Sequence, residues 1–157
     1  WQCAETLGVT PYLVGYGASG LIMTGSFSTM LNAIDYLSDG RPVEDGVIPD
    51  VIVVNHGTND GGQSRKKFEE ALDSTITRLQ EKYPDTPIVY LIPFNQAHAR
   101  IISEKLKDTA NIYVVETKDR SITYTDGVHP DAAGAKAAGE QLAAALVEIF
   151  GEDYFKN

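Results

Sequence analysis

Three short apolar runs rich in β-branched residues punctuate the chain: Val51-Ile52-Val53-Val54 after Asp50, Ile88-Val89-Tyr90-Leu91-Ile92 after Pro87, and Ile112-Tyr113-Val114-Val115 after Asn111. Their lengths suit strands, and the unbroken hydrophobicity of residues 50–55 predicts a strand buried on both faces, as in a parallel sheet. A weaker run, Tyr12-Leu13-Val14-Gly15-Tyr16, predicts one more strand ahead of them. Between the runs the apolar positions change to helical spacing. Phe68, Ala71, Leu72, Ile76 and Leu79 recur along residues 65–83 with charges on the other side, which predicts an amphipathic helix. Further helices are predicted at 28–38 (Met30, Leu31, Ile34 and Leu37 inward), 96–107 and 131–149, the last Ala-rich and opening at Pro130-Asp131. Residues 1–8 read as the tail of a helix closed by Gly8. Strand and helix alternate at spacings that suit crossover connections, so the fold class is α/β: a three-layer α/β/α sandwich around a parallel, flavodoxin-like sheet.

Ligands of such sheets bind beyond the carboxyl ends of the strands, and the chemically suggestive stretches fall there. Thr125-Asp126-Gly127-Val128-His129-Pro130 lies directly before the last helix. An Asp and a His three residues apart on a glycine-containing turn can pair, the carboxylate holding one imidazole nitrogen and leaving the other to take a proton from a nucleophile. Gly57-Thr58-Asn59-Asp60 follows the strand at 50–55 and offers the Asn59 amide as an oxyanion donor, with Asp60 as a candidate N-cap. Gly17-Ala18-Ser19-Gly20 has two readings, a tight turn that needs glycine or a second oxyanion donor through the Gly20 N–H. His56 and His98 lack partners at a recognisable spacing and read as structural or substrate-lining. Cys3 reads as core packing. Trp1, Tyr16, Phe27 and Phe94 suit an acyl or sugar pocket as well as a core.

Composition narrows the classes. With 157 residues, 43% hydrophobic and 22% charged, the chain can bury a core as one domain and is not of disordered type. A formal charge of −9 gives phosphates no basic patch to meet, so neither nucleic acid nor an anionic membrane surface is expected as a partner. The single cysteine rules out an internal disulfide, and no Cys/His cluster has zinc spacing; neither metal nor cofactor is expected. No apolar run reaches the roughly 18 residues of a membrane span. The compartment stays open between cytoplasm and export. Beginning at Trp1, without an initiator Met or a signal peptide, the chain reads as a piece of something longer.

With these residues in place the chain resembles the SGNH-hydrolase superfamily, the GDSL-type esterases and lipases. Gly57-Thr58-Asn59-Asp60 matches the family's G-x-N-D block, Asp126-Gly127-Val128-His129-Pro130 its D-x-x-H-P block, and Ser19-Gly20 looks like its second, glycine block. Order and spacing agree over essentially the whole chain. The resemblance implies ester hydrolysis through an acyl-enzyme, with His129 as general base, Asp126 as its orienter, and Gly20 and Asn59 as oxyanion donors. The family's G-D-S block, which carries the nucleophilic serine, is absent. Its expected place is upstream of Trp1, on a central strand between the strands at 12–16 and 50–55. One alternative keeps the nucleophile inside the chain at Ser19, although Leu21 stands where a G-x-S-x-G elbow needs its second glycine.

The expected function is therefore a metal-independent serine esterase for small acyl esters, with an O-acetylated carbohydrate ahead of a lipid. No long apolar lid is visible, and Asn55, His56, Asn95, Gln96 and His98 give the expected cleft a polar rim. A non-catalytic carbohydrate- or ligand-binding domain, with the cleft but without the serine, is the alternative.

Overall fold

The computed structural model describes residues 1–43, 46–118 and 121–156. They fall into two compact units, one of residues 14–117 and one that joins residues 1–13 to the chain from Lys118 onward.

The 14–117 unit holds the sheet. Strands β1 (Ile52–Val54), β2 (Ile88–Leu91) and β3 (Ile112–Val115) lie parallel in that order. Ile52 pairs with Ile88 and Ile88 with Ile112, so the three runs are level. Side chains alternate across a pleat, and one face therefore gathers Val54, Ile88, Tyr90, Ile92 and Ile112. These pack with Phe68, Leu72, Ile76 and Leu79 of α3 (Arg65–Lys82) and with Ile101, Ile102 and Leu106 of α4 (Ala99–Leu106) in one hydrophobic core. Helix α3 starts where the Ser64 hydroxyl accepts from the Lys67 N–H at 3.4 Å. The opposite face carries Val53, Val89 and Tyr113 in register. The protein is thus mixed α/β with a parallel sheet and helices packed on it.

Three expectations are corrected. Residues 12–16 form no strand; Tyr12, Leu13 and Val14 are exposed. A strand exists through the ladder it shares with a neighbour rather than through its composition, and the sheet of the described residues has three strands. Strand β1 is not buried on both faces: among the described residues it lies at the edge of the sheet, and Val53 is 39% exposed. The helix expected at 28–38 shrinks to α2 (Met30–Ala33). There the chain is claimed by tertiary bonds: Val43 N–H donates to the Asp35 carbonyl at 2.7 Å and Leu37 N–H to the Arg41 carbonyl at 2.8 Å. The Asp35 carboxylate meanwhile takes a bidentate pair from Arg78 of α3, at 2.7 and 2.6 Å.

In the other unit α1 (Gln2–Leu7), closed by Gly8 at φ 70°, packs on α5 (Ala132–Phe150). The approach needs a glycine: a Cβ on Gly139 would stand 2.5 Å from the Gln2 Cβ and 2.9 Å from the Cys3 nitrogen. Cys3 is half-buried there, and desolvation raises its pKa, which suits packing. No helix of the described residues is long and apolar enough to cross a membrane.

Candidate active site

The turn before helix α5 is tied to the start of that helix by hydrogen bonds. The Asp131 carboxylate caps the helix by accepting from the Gly134 N–H at 2.8 Å, and it also accepts from the Thr123 hydroxyl at 2.6 Å. The Asp131 N–H donates to the Thr123 carbonyl at 3.1 Å and the Thr125 N–H to the His129 carbonyl at 2.8 Å. Residues 123 and 131, then 125 and 129, are thereby tied in pairs, and the intervening turn is closed by Gly127 at φ 84°. Within it the Asp126 carboxylate accepts from the backbone N–H groups of Val128 and His129 at 3.0 and 2.8 Å. Its other oxygen lies 2.7 Å from His129 Nδ1.

These contacts, first the His129 backbone N–H and then the His129 ring and the Val128 N–H, hold the Asp126 carboxyl well below the usual carboxylate range. An ionised Asp126 accepts from Nδ1–H, which fixes the tautomer with Nε2 as the base nitrogen. The ring is mostly exposed, so Nε2 is open to a partner. The structure thus brings Asp126 and His129 together in one turn.

The second cluster belongs to the 14–117 unit, at the carboxyl ends of the strands. Residues 57–60 leave β1 through Gly57 at φ 118° and close a single 3-10 turn, Thr58–Asp60. Its neighbours after β2 and β3 lock onto it and onto one another. Asn95 Nδ2 donates to the Thr58 carbonyl at 3.0 Å, and His98 Nε2 lies 2.8 Å from the Asp60 carbonyl with its ring stacked on Phe68. Gln96 Nε2 donates to the Thr117 hydroxyl at 3.0 Å, and Tyr90 OH to the His56 carbonyl at 2.9 Å. His56 is partly buried, and that desolvation lowers its pKa against the opposing pull of Asp60. Asn95, Gln96 and His98, expected as a polar rim, thus serve as cross-links between the loops.

Asn59 is exposed, and its Nδ2 donates to the Ser19 carbonyl at 2.8 Å. A carboxamide nitrogen carries two protons, so this bond orients the group and leaves the second proton for an oxyanion. The Gly20 N–H donates to the Met23 carbonyl at 2.8 Å, so an oxyanion there would compete with that carbonyl. Ser19 is buried, and its hydroxyl lies 3.0 Å from the Thr24 carbonyl and 2.8 Å from the Ser28 carbonyl. Its single proton is committed to the loop's own backbone. Tyr16 and Phe27 pack on each other at 4.8 Å between centroids, while Trp1 is exposed.

Sequence reasoning missed the role of Asp60. It caps no long helix, since Ser64 caps α3; it is fully buried, and its carboxylate accepts from the N–H groups of Leu21, Ile22 and Met23 at 2.7, 3.1 and 3.0 Å. Only the coincidence of an acidic residue at a buried strand end and a glycine some forty positions earlier could have hinted at it. Gly20 is needed for that approach, since a Cβ would stand 2.3 Å from Asp60 Oδ2.

No protein-family model matches the chain. No curated protein matches it either. Among solved structures, the chain is similar to a family two carbohydrate esterase from Clostridium thermocellum in complex with cellohexaose: TM-score 0.76, 23% identity, 96% of this chain and 53% of that one. It is likewise similar to a carbohydrate esterase family 2 enzyme plus carbohydrate binding domain from Corynascus thermopiles (Myceliophthora fergusii), with TM-score 0.76, 21% identity, and coverage of 96% and 55%. A family two carbohydrate esterase from Cellvibrio japonicus gives TM-score 0.78 at 16% identity, with coverage of 98% and 51%. The chain therefore spans about half the length of the structures it resembles. At these identities the likeness shows the fold: this chain shares its α/β architecture with carbohydrate esterases of family two.

Proposed function

We propose that this chain belongs to a serine-type hydrolase of small acyl esters, of the SGNH kind, with O-acetylated carbohydrate as its substrate class. The observation that carries the reading is the Asp126–His129 pair, 2.7 Å between carboxylate and Nδ1, in a turn fixed on both sides by backbone bonds. Such a pair is a general base waiting for a hydroxyl. Carbohydrate esterases of family two share this fold, which favours an ester as the substrate and a carbohydrate as its bearer.

In this reading a serine hydroxyl attacks the acyl carbonyl while His129 Nε2 takes its proton. Asp126 stays ionised and stabilises the imidazolium, and the Asn59 amide donates to the tetrahedral oxyanion. Collapse breaks the bond to the alcohol, which leaves with the proton returned by His129. Water, activated by the same nitrogen, then releases the acid and restores the serine. The nucleophile is a serine other than Ser19, whose hydroxyl is turned into its own loop.

The test is acetate release from an acetylated xylan or cello-oligosaccharide by the natural protein and by its His129→Ala variant. Release by the wild type and a loss of at least about 10³-fold in the variant is expected. Equal rates in the two would sink the assignment. Rates that climb steadily from acetyl to octanoyl esters would refute the substrate class alone. Carbohydrate binding without any hydrolysis would favour a non-catalytic binding domain.

A further inference from the structure

Two consecutive residues grip one loop on either side of Gly20. Asn59 Nδ2 holds the Ser19 carbonyl at 2.8 Å, and the Asp60 carboxylate holds the N–H groups of Leu21, Ile22 and Met23 at 2.7, 3.1 and 3.0 Å. A carboxylate without contact with water is costly unless its lone pairs are filled. Here three successive backbone donors fill them, an arrangement of the kind that elsewhere receives anionic ligands. The Asp60 main chain is held as firmly, with His98 Nε2 at 2.8 Å from its carbonyl and the His98 ring stacked on Phe68 at 3.9 Å. Asn59 by contrast is exposed, at the tip of the same 3-10 turn. The amide that would meet an oxyanion therefore has no packing of its own. Its place is set by the Ser19 carbonyl, whose loop is fixed by Asp60.

We propose that Asp60 is a positioning residue for ester hydrolysis: it fixes the 19–23 loop so that the Asn59 amide stands preorganised for the oxyanion. This rests on the hydrolase reading above. The carboxylate is essential because an Asn at 60 has one acceptor oxygen. It cannot serve the Leu21 N–H, now on Oδ2, together with the Ile22 and Met23 N–H groups, now on Oδ1. Its NH2 would face a donor, and the loop would shift.

The experiment compares Asp60→Asn, Asn59→Ala and the double variant in the natural protein, using 4-nitrophenyl acetate. Asp60→Asn is expected to lower kcat about 10–100-fold with KM within about twofold. In the Asn59→Ala background it should cost little more, since it acts through Asn59. Gly20→Ala, whose Cβ intrudes on the carboxylate, should reproduce the kcat loss. Wild-type kcat in folded Asp60→Asn, or losses that multiply in the double variant, would overturn the role while the hydrolase reading stands. A wild type that turns over no ester would overturn both. In the wild type, scalar couplings across hydrogen bonds should link the Leu21, Ile22 and Met23 amide nitrogens to the Asp60 carboxyl carbon. Their absence would overturn the proposal even if Asp60→Asn failed to fold.

Discussion

At the scale of single residues, the account turns on Asp126 and Asn59. Asp126 makes its pair with His129 inside one turn, so Asp126→Asn should fold normally and still lose about 10⁴-fold in kcat, the cost of presenting the wrong imidazole tautomer. A loss under tenfold, measured at saturating substrate, would contradict the assigned role. Three contacts to Asp126 favour its charged form. Its folded pKa lies below the unfolded one, so the stabilisation it confers is present above the ordinary aspartate value of about 3.9 and is lost as pH falls through the lower folded value. The carboxyl carbon of Asp126 should accordingly titrate well below pH 3.9 in an NMR experiment, and a midpoint at or above that value would mean that the contacts are absent in solution. Asn59→Ala should cost about 10²–10³ in kcat with only a small loss of thermal stability, that of its one bond to the Ser19 carbonyl. The Asp126–His129 pair was legible in the sequence because both partners stand on one turn, where spacing determines contact. Asp60 was not. Its partners are backbone amides 37–39 positions away, which carry no residue signature.

At the scale of elements, glycine marks the places where chain segments touch. A Cβ on Gly134 would stand 2.0 Å from the Thr123 carbonyl, the group that receives the Asp131 N–H as α5 begins. Gly134→Ala should therefore push apart the two ends of the Asp126–His129 turn. The expected result is lower stability together with lower activity; a fully active, equally stable variant would show that the turn does not depend on this contact. In the core, Leu72→Ala should cost about 2–5 kcal/mol in denaturant unfolding without touching either candidate cluster. Periodicity found α3, α4 and α5 and the strands β1, β2 and β3 to within a few residues, because long helices and sheet runs are stabilised by the burial that the pattern records. It failed at 12–16 and 28–38. There the outcome was decided by pairing partners and by bonds such as Asp35 with Arg78, which local pattern does not contain.

At the scale of the whole molecule, charge and topology set the terms. The net charge of −9 adds self-repulsion at neutral pH, and specific pairs offset part of it. Hydrogen bonding to Arg78, then the charges of Arg78 and Lys82, outweigh burial and lower the Asp35 pKa. That stabilisation is present above the unfolded aspartate value and disappears as pH drops through the folded one. Arg78→Ala should thus weaken the loss of stability on acidification, and an acid limb identical to wild type would mean the pair is open in solution. The α/β class and the parallel sheet follow from the alternation of elements, and structures of family two carbohydrate esterases share this fold. The central claim is that His129 serves a nucleophilic serine, and the most direct measurement is fluorophosphonate labelling of the natural protein with mapping of the modified peptide. The account predicts one labelled serine, other than Ser19, whose labelling falls sharply in His129→Ala. A label on Ser19 would contradict the placement of the nucleophile, and no label on any serine would contradict the mechanism.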